Sequence, residues 1–279
     1  MSLSVLLALL VGALLHACWN VSVKSEPDKL RATAGVFIGS GLLAACALPF
    51  VPVPAAASWP YLVASVVTEL IYGALLATVY RVGDLSHAYP LMRGSAPLLV
   101  AVGGVIVIGE QLSRAAWLGI ALVCGGILSL ILTAGNRGQS TRATRLALLN
   151  AVVIASYTLI DGIGVRKSGQ SLAYTIWLFV ITGVAWLFWL AARTHADQWR
   201  KLPSELPRWM LGGMCSVGSY GIALWAMTLA PIATVAAVRE SSIIFSIALA
   251  ALVLHERVTV LRAMAAGIVA LGVCAIRVG

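Results

Sequence analysis

Two apolar stretches decide the fold: 87-HAYPLMRGSAPLLVAVGGVIVIGEQLS-113 and 232-IATVAAVRESSIIFSIALAALVLHERVT-259. Each holds an arginine inside a run long enough to cross a bilayer. Slid by 146 positions (239 minus 93) without a gap, the first falls on the second. Arg93 then meets Arg239, Ser95 meets Ser241 and Glu110 meets Glu256. A charge at bilayer depth is costly and by default marks a functional site. The same costly charge appearing twice in register indicates an internal duplication, with a polar site near its centre.

Composition supports a membrane setting. The chain is 61% hydrophobic and 10% charged, with mean hydropathy +0.97; a soluble domain carries about 25% charged residues. Runs of about 20 apolar residues span a bilayer as helices. They lack the alternation of a membrane barrel, and a helix satisfies its backbone polar groups internally. The net charge of +9 does not indicate nucleic acid, because Lys and Arg sit singly or in pairs in short loops and read as topology anchors. Cys18, Cys46, Cys124, Cys215 and Cys274 lie in apolar runs without metal-ligand spacing and read as small packing residues. The start, MSLSVLLALL, lacks a basic leader region and reads as a retained first helix over 3–22.

Ten spans are predicted, near 3–22, 30–50, 60–80, 87–109, 113–133, 145–164, 171–192, 208–229, 232–254 and 259–277. The stretch from Arg193 to Arg208 reads as a loop. The middle loop divides the chain into a first five-helix repeat, 1–137, a connecting segment, 138–144, and a second repeat, 145–279. An odd number of helices per repeat inserts the second half upside down relative to the first. The expected fold is therefore an all-α membrane protein of ten transmembrane helices in two inverted five-helix repeats. Such repeats are a hallmark of secondary transporters, whose sites lie at the repeat interface. By Lys and Arg count, the loops after odd-numbered helices face the cytoplasm and both termini lie outside. Only Arg114, Arg166, Lys167 and Arg277 fall on the opposite side.

Polar residues inside the spans are the candidate site. His16, Trp19 and Asn20 share one face of helix 1 at i, i+3 and i+4. Glu69 is a mid-helix carboxylate with Tyr72 one turn on; such a group is protonated, paired or facing water. Asn150, Tyr157 and Asp161 form a stripe on helix 6. Asp161 lies within a turn of Arg166, which gives it an interfacial alternative. Tyr89, Pro90, Arg93 and Pro97 suggest a bent or broken helix 4 whose freed carbonyls face a cavity. Arg93 lies about 10 Å into its span at 1.5 Å per residue, so it either lines the site or snorkels to the interface. Arg239 and Glu240 point about 100° apart on a helix, so at least one needs a partner elsewhere. Glu110 and Glu256 end their helices beside Arg114 and Arg257 and read as interfacial anchors. Tyr220 and Trp225 complete a set of aromatic walls. No metal-binding pattern, phosphate loop or catalytic constellation is visible, and no cofactor is expected.

The pair GEQLSRAAWLGIALVCGGILSL (109–130) and HERVTVLRAMAAGIVALGVCAI (255–276) resembles the Glu-ending helix and following helix of the EamA-type family, within the drug/metabolite transporter superfamily. HACWNVSVK (16–24) and ASYTLIDGIGVRK (155–167) resemble the helices that open that family's two repeats. The resemblance covers nearly the whole chain. It implies ten helices, a central cavity lined by helices 1, 3, 4, 6, 8 and 9, export or uptake of small metabolites by alternating access, and termini in the cytoplasm, against the charge count. The intramembrane arginine pair is not a general feature of the family, and its role rests on the physical argument.

The reading is a multi-pass transporter, in a bacterial inner membrane, for a small polar or amphipathic metabolite. Its substrate-binding residues would be His16, Trp19, Asn20, Glu69, Tyr72, Tyr89, Arg93, Tyr157, Asp161, Tyr220, Trp225, Arg239 and Glu240. The arginines would meet a carboxylate or phosphate, or pair with Glu69 and Glu240. Protons, carried on Glu69, Asp161 or His16, are the candidate coupling ion. The molecule would act as a monomer or homodimer. The rival readings are a polytopic enzyme acting on lipid and a non-transporting membrane scaffold.

Overall fold

A computed structural model describes the chain except for residues 25, 27, 83, 84, 134–139, 194–201, 254, 256 and 257. Its described residues form helices and turns without strands. The helices are α1 (Leu3–Lys24), α2 (Lys29–Ala47), α3 (Trp59–Val82), α4 (Leu85–Gly103), α5 (Arg114–Ser129), α6 (Thr141–Lys167), α7 (Ser171–Ala191), α8 (Leu202–Met227), α9 in two pieces (α9a, Ile232–Arg239; α9b, Ser242–Val253) and α10 (Val260–Val278). With their flanking turns they give ten helices long and apolar enough to cross a membrane.

Two boundaries differ from expectation. Helix α6 starts at Thr141, inside the expected connecting segment. Helix α8 starts at Leu202, so part of the expected Arg193–Arg208 loop is helical. The residues are polar, yet Pro203 tolerates a first helical turn and Glu205 favours it by facing the positive end of the helix dipole. Glu205 is also held by Arg31 of α2, at 2.8 Å.

The packing repeats by halves. Helix α1 packs on α8 as α3 packs on α6, and α4 packs on α6 as α9 packs on α1. Exchanging helices 1–5 with 6–10 maps these pairs onto one another, and maps α2–α7 and α5–α10 onto themselves. Five crossings place the start of α6 on the face opposite the start of α1, so the halves are inverted. Both self-related pairs cross at glycines. A Cβ on Gly41 of α2 would sit 2.8 Å from the Cα of Gly183 on α7, and a Cβ on Gly119 of α5 would sit 2.6 Å from the Gly272 carbonyl of α10. Small residues allow this backbone approach where lipid offers no hydrophobic drive for association.

The prolines do not break α4. It runs through Pro90 and Pro97 to Gly103, where a π turn over Gly104–Ile108 ends on Gly109 at φ +74°. Only glycine adopts that left-handed cap readily. The break lies in α9, which contains no proline. There the amides of Glu240, Ser241, Ile243 and Ile244 bond to carbonyls three residues back. The interruption falls at the polar run Glu240-Ser241-Ser242. Pro97 still has a local effect: its missing N–H leaves the carbonyl of Arg93, four residues back, without its helical donor.

Candidate functional site

A small cavity of about 70 Å³ lies at the seam between the halves. Helices α1, α3 and α4 bring His16, Trp19, Asn20, Glu69, Tyr72, Tyr89 and Arg93 to it. Helices α6, α8 and α9a bring Tyr157, Tyr220 and Arg239. Ten of the thirteen expected residues therefore line one space. Four further lining residues went unpredicted: Phe37 of α2, Phe179 of α7, and Ser216 and Ser219 of α8. Nothing in their local sequence separates Phe37 or Phe179 from lipid-facing or core phenylalanines. Ser216, Ser219 and Tyr220 share a face at i, i+3 and i+4, a pattern that could have found the serines.

Arg93 does not snorkel. It is 9% exposed, and its Nη2 lies 2.9 Å from Glu240 Oε1 and 3.4 Å from His16 Nε2. Glu240 thus stands behind the cavity wall, at the break in α9, as the partner of an arginine from the other half. Arg239, its neighbour, points into the cavity. Its guanidinium lies over the Tyr220 ring, 4.8 Å from the centroid, and makes no ion pair among the described residues.

Asp161 is fully buried, so its interfacial alternative fails. It sits one layer behind the cavity, where Tyr174 donates to Oδ1 at 3.0 Å and Tyr220 to Oδ2 at 2.5 Å. Tyr220 therefore offers its face to Arg239 and its hydroxyl to Asp161. Glu69 accepts from the Thr182 hydroxyl at 3.0 Å on Oε2. Tyr72 and Tyr157 pack edge to face, with centroids 6.0 Å apart. Trp225 is not part of the site: it is 37% exposed on the outer surface. Five residues beyond Tyr220, it is turned about 140° away at 100° per residue. Asn150, on the same predicted stripe as Tyr157, is buried elsewhere and donates to the Met92 sulfur at 3.1 Å.

On the face that carries both termini, the turn between α8 and α9 is clasped by side chains from both halves. Glu110 lies in the turn between α4 and α5. It accepts from the Ile232 amide at 2.8 Å, capping α9a, and pairs with Arg166 of α6 at 2.9 Å. Its ion-pair partner is thus Arg166, from the other half. Arg166 also donates to the carbonyls of Met227 and Ala230 at the end of α8. One carboxylate and one guanidinium together satisfy the helix-terminal groups on both sides of the α8–α9 turn. Glu256, the counterpart of Glu110, lies outside the described residues. Toward the opposite, Lys- and Arg-rich face, a larger cavity of about 290 Å³ opens among α1, α2 and α8. It is bordered by the pairs Arg31–Glu205 and Arg208–Glu26.

The helices and the buried charges at their seam define a polytopic α-helical membrane protein built around an internal polar cavity. A solved crystal structure with 16% sequence identity superposes on 100% of this chain and 98% of its own, at a TM-score of 0.74, which establishes the fold. Residues 142–278, the second half, match the model of the EamA-like transporter family. Through this match the second half of the chain belongs to the EamA-like transporter family, and the ten helices make the chain a multi-pass membrane protein. It is also 35% identical over 83 residues to the probable 4-amino-4-deoxy-L-arabinose-phosphoundecaprenol flippase subunit ArnF of Sodalis glossinidius (strain morsitans). That similarity covers 26% of this chain and 64% of the relative, just under two thirds of its length.

Proposed function

We propose that this chain is a secondary transporter of a small polar or amphipathic metabolite in a bacterial inner membrane. The substrate binds in the cavity between the two halves and crosses by alternating access. The observation that carries this reading is the convergence of ionisable side chains from both halves on one cavity: Glu69 and Arg93 from the first, Arg239 from the second. Such residues inside a membrane mark substrate or ion pathways. On this reading the halves part to admit the substrate to the cavity and to release it. The Glu110–Arg166 clasp is the contact that has to release for the terminal face to open. The relative from Sodalis is named as a flippase subunit for a lipid-linked amino sugar phosphate, an amphipathic molecule. Glu69, Asp161 and His16 are the groups available to carry a coupling proton.

Alternating access is tested by placing a single cysteine at Ser216, in a background without the five native cysteines. Membrane-impermeant maleimide is then applied from either side of proteoliposomes. The reading predicts labelling from both sides. Reactivity from one side only, under every condition, contradicts it.

A further inference from the structure

The two sequence-equivalent arginines have diverged in role. Arg93 is buried and neutralised by Glu240. Arg239 faces the cavity, with its guanidinium over the Tyr220 ring. Glu69 lines the same cavity, and its carboxylate accepts from Thr182 without a cationic partner among the described residues. A guanidinium and a carboxylate thus face one space of about 70 Å³ without closing on each other. The third acid, Asp161, is withheld, because each of its oxygens accepts from a tyrosine hydroxyl.

This pattern selects among ligands by charge. A simple cation drawn to Glu69 is repelled by Arg239, and a simple anion drawn to Arg239 is repelled by Glu69. Both charges are satisfied together by a ligand that carries both signs. The rings are placed to help. Tyr72 lies three residues after Glu69 and shares its helix face, and Tyr157 packs against Tyr72. Aromatic faces beside a carboxylate suit an ammonium. The planar guanidinium of Arg239 suits a carboxylate or phosphate, which it can hold through two parallel hydrogen bonds.

We infer that Arg239 and Glu69 together recognise a zwitterion: a protonated amine at Glu69, Tyr72 and Tyr157, and a carboxylate or phosphate at Arg239. Arg93 takes no part in this recognition. The inference rests on the cavity being the substrate site. The ligand is either a free small molecule or a lipid headgroup, since both present the same pair of charges.

The test measures thermal stability of the purified, full-length protein in detergent, where a ligand stabilises in proportion to ln(1 + [L]/Kd). Each zwitterion is compared with analogues that keep one charge: tryptophan with tryptamine and indole-3-propionate, and phosphoethanolamine with ethanolamine and ethyl phosphate. Dihexanoyl phosphatidylethanolamine against dihexanoyl phosphatidylglycerol forms the lipid arm. At least one zwitterion should bind about tenfold or more tightly than both of its analogues, the equivalent of one lost charge contact. Binding confined to the lipid arm identifies a headgroup; binding in a soluble series identifies a free metabolite. In that series Glu69→Gln should abolish the advantage over the anion, and Arg239→Gln the advantage over the amine. No binding by any zwitterion, or equal binding by a singly charged analogue, overturns the inference. Protein-dependent transport of a singly charged compound would overturn it while leaving the transporter reading intact.

Discussion

Arg93 and Glu240 form a buried ion pair of 2.9 Å that ties the middle of α4, in the first half, to the break in α9, in the second. The pair explains how an arginine is tolerated at this depth. The pair coincides with the helix break, since Glu240 caps the end of α9a. Removing one partner of a buried pair leaves an uncompensated charge, a loss of about 3–5 kcal/mol. Arg93→Gln and Glu240→Gln should therefore each lower the melting temperature strongly, and the double variant should recover part of the loss. Additive losses in a double-mutant cycle would show that the two side chains do not interact.

The Glu110–Arg166 clasp predicts a conformational effect. Glu110→Gln weakens both the ion pair and the cap on α9a; loss of a cap alone costs about 0.5–2 kcal/mol. A cysteine introduced at Ala233, buried at the start of α9a, should become more reactive toward an impermeant maleimide applied from the terminal face. Unchanged reactivity would remove the clasp from the gating account.

Helix crossing at glycine is a sharp packing constraint. A Cβ on Gly183 would sit 2.6 Å from the Gly41 Cα, whereas one on Gly125 meets nothing within 4 Å. Gly183→Val should reduce the yield of folded protein severely, because overpacking costs about 1–3 kcal/mol even where side chains can shift. Gly125→Ala should behave as wild type. Gel filtration of the two variants side by side distinguishes these outcomes.

Tyr220 and Trp225 are aromatic residues of one helix with different surroundings. Tyr220→Phe deprives Asp161 of one of its tyrosine donors, and a buried acceptor left unsatisfied costs about 1–3 kcal/mol. It should lower both stability and substrate binding, while Trp225→Ala should leave binding unchanged. Binding loss on Trp225→Ala would place the substrate path on the outer surface of α8.

Much of this architecture was legible in the sequence because charge is scarce there. With 10% charged residues, a register that superposes Arg93 on Arg239 and Glu110 on Glu256 carries information that Ala, Val and Leu matches do not. The same scarcity located Glu69 and Asp161. Partnership was not legible. Arg93 and Arg239 stand at equivalent sequence positions, yet only Arg93 receives a carboxylate, because the acid follows Arg239 and projects from the break in α9. The break itself was expected at the prolines of α4. Proline removes one donor and α4 accommodates it, whereas α9, which contains no proline, breaks at Glu240–Ser241. Phe37 and Phe179 were hidden because an aromatic residue facing a cavity and one facing lipid look alike in sequence. Trp225 was misplaced because proximity in sequence is not proximity on a helix face.

The most direct test of the central claim is efflux from proteoliposomes loaded with the low-molecular-weight fraction of a bacterial extract, followed by mass spectrometry. The account predicts that at least one compound leaves only when the protein is present. That efflux should fall about tenfold or more in a folded Arg239→Ala variant, as expected when one charge contact with the substrate is lost. Protein-dependent efflux that is identical in wild type and Arg239→Ala would contradict a substrate path through the central cavity.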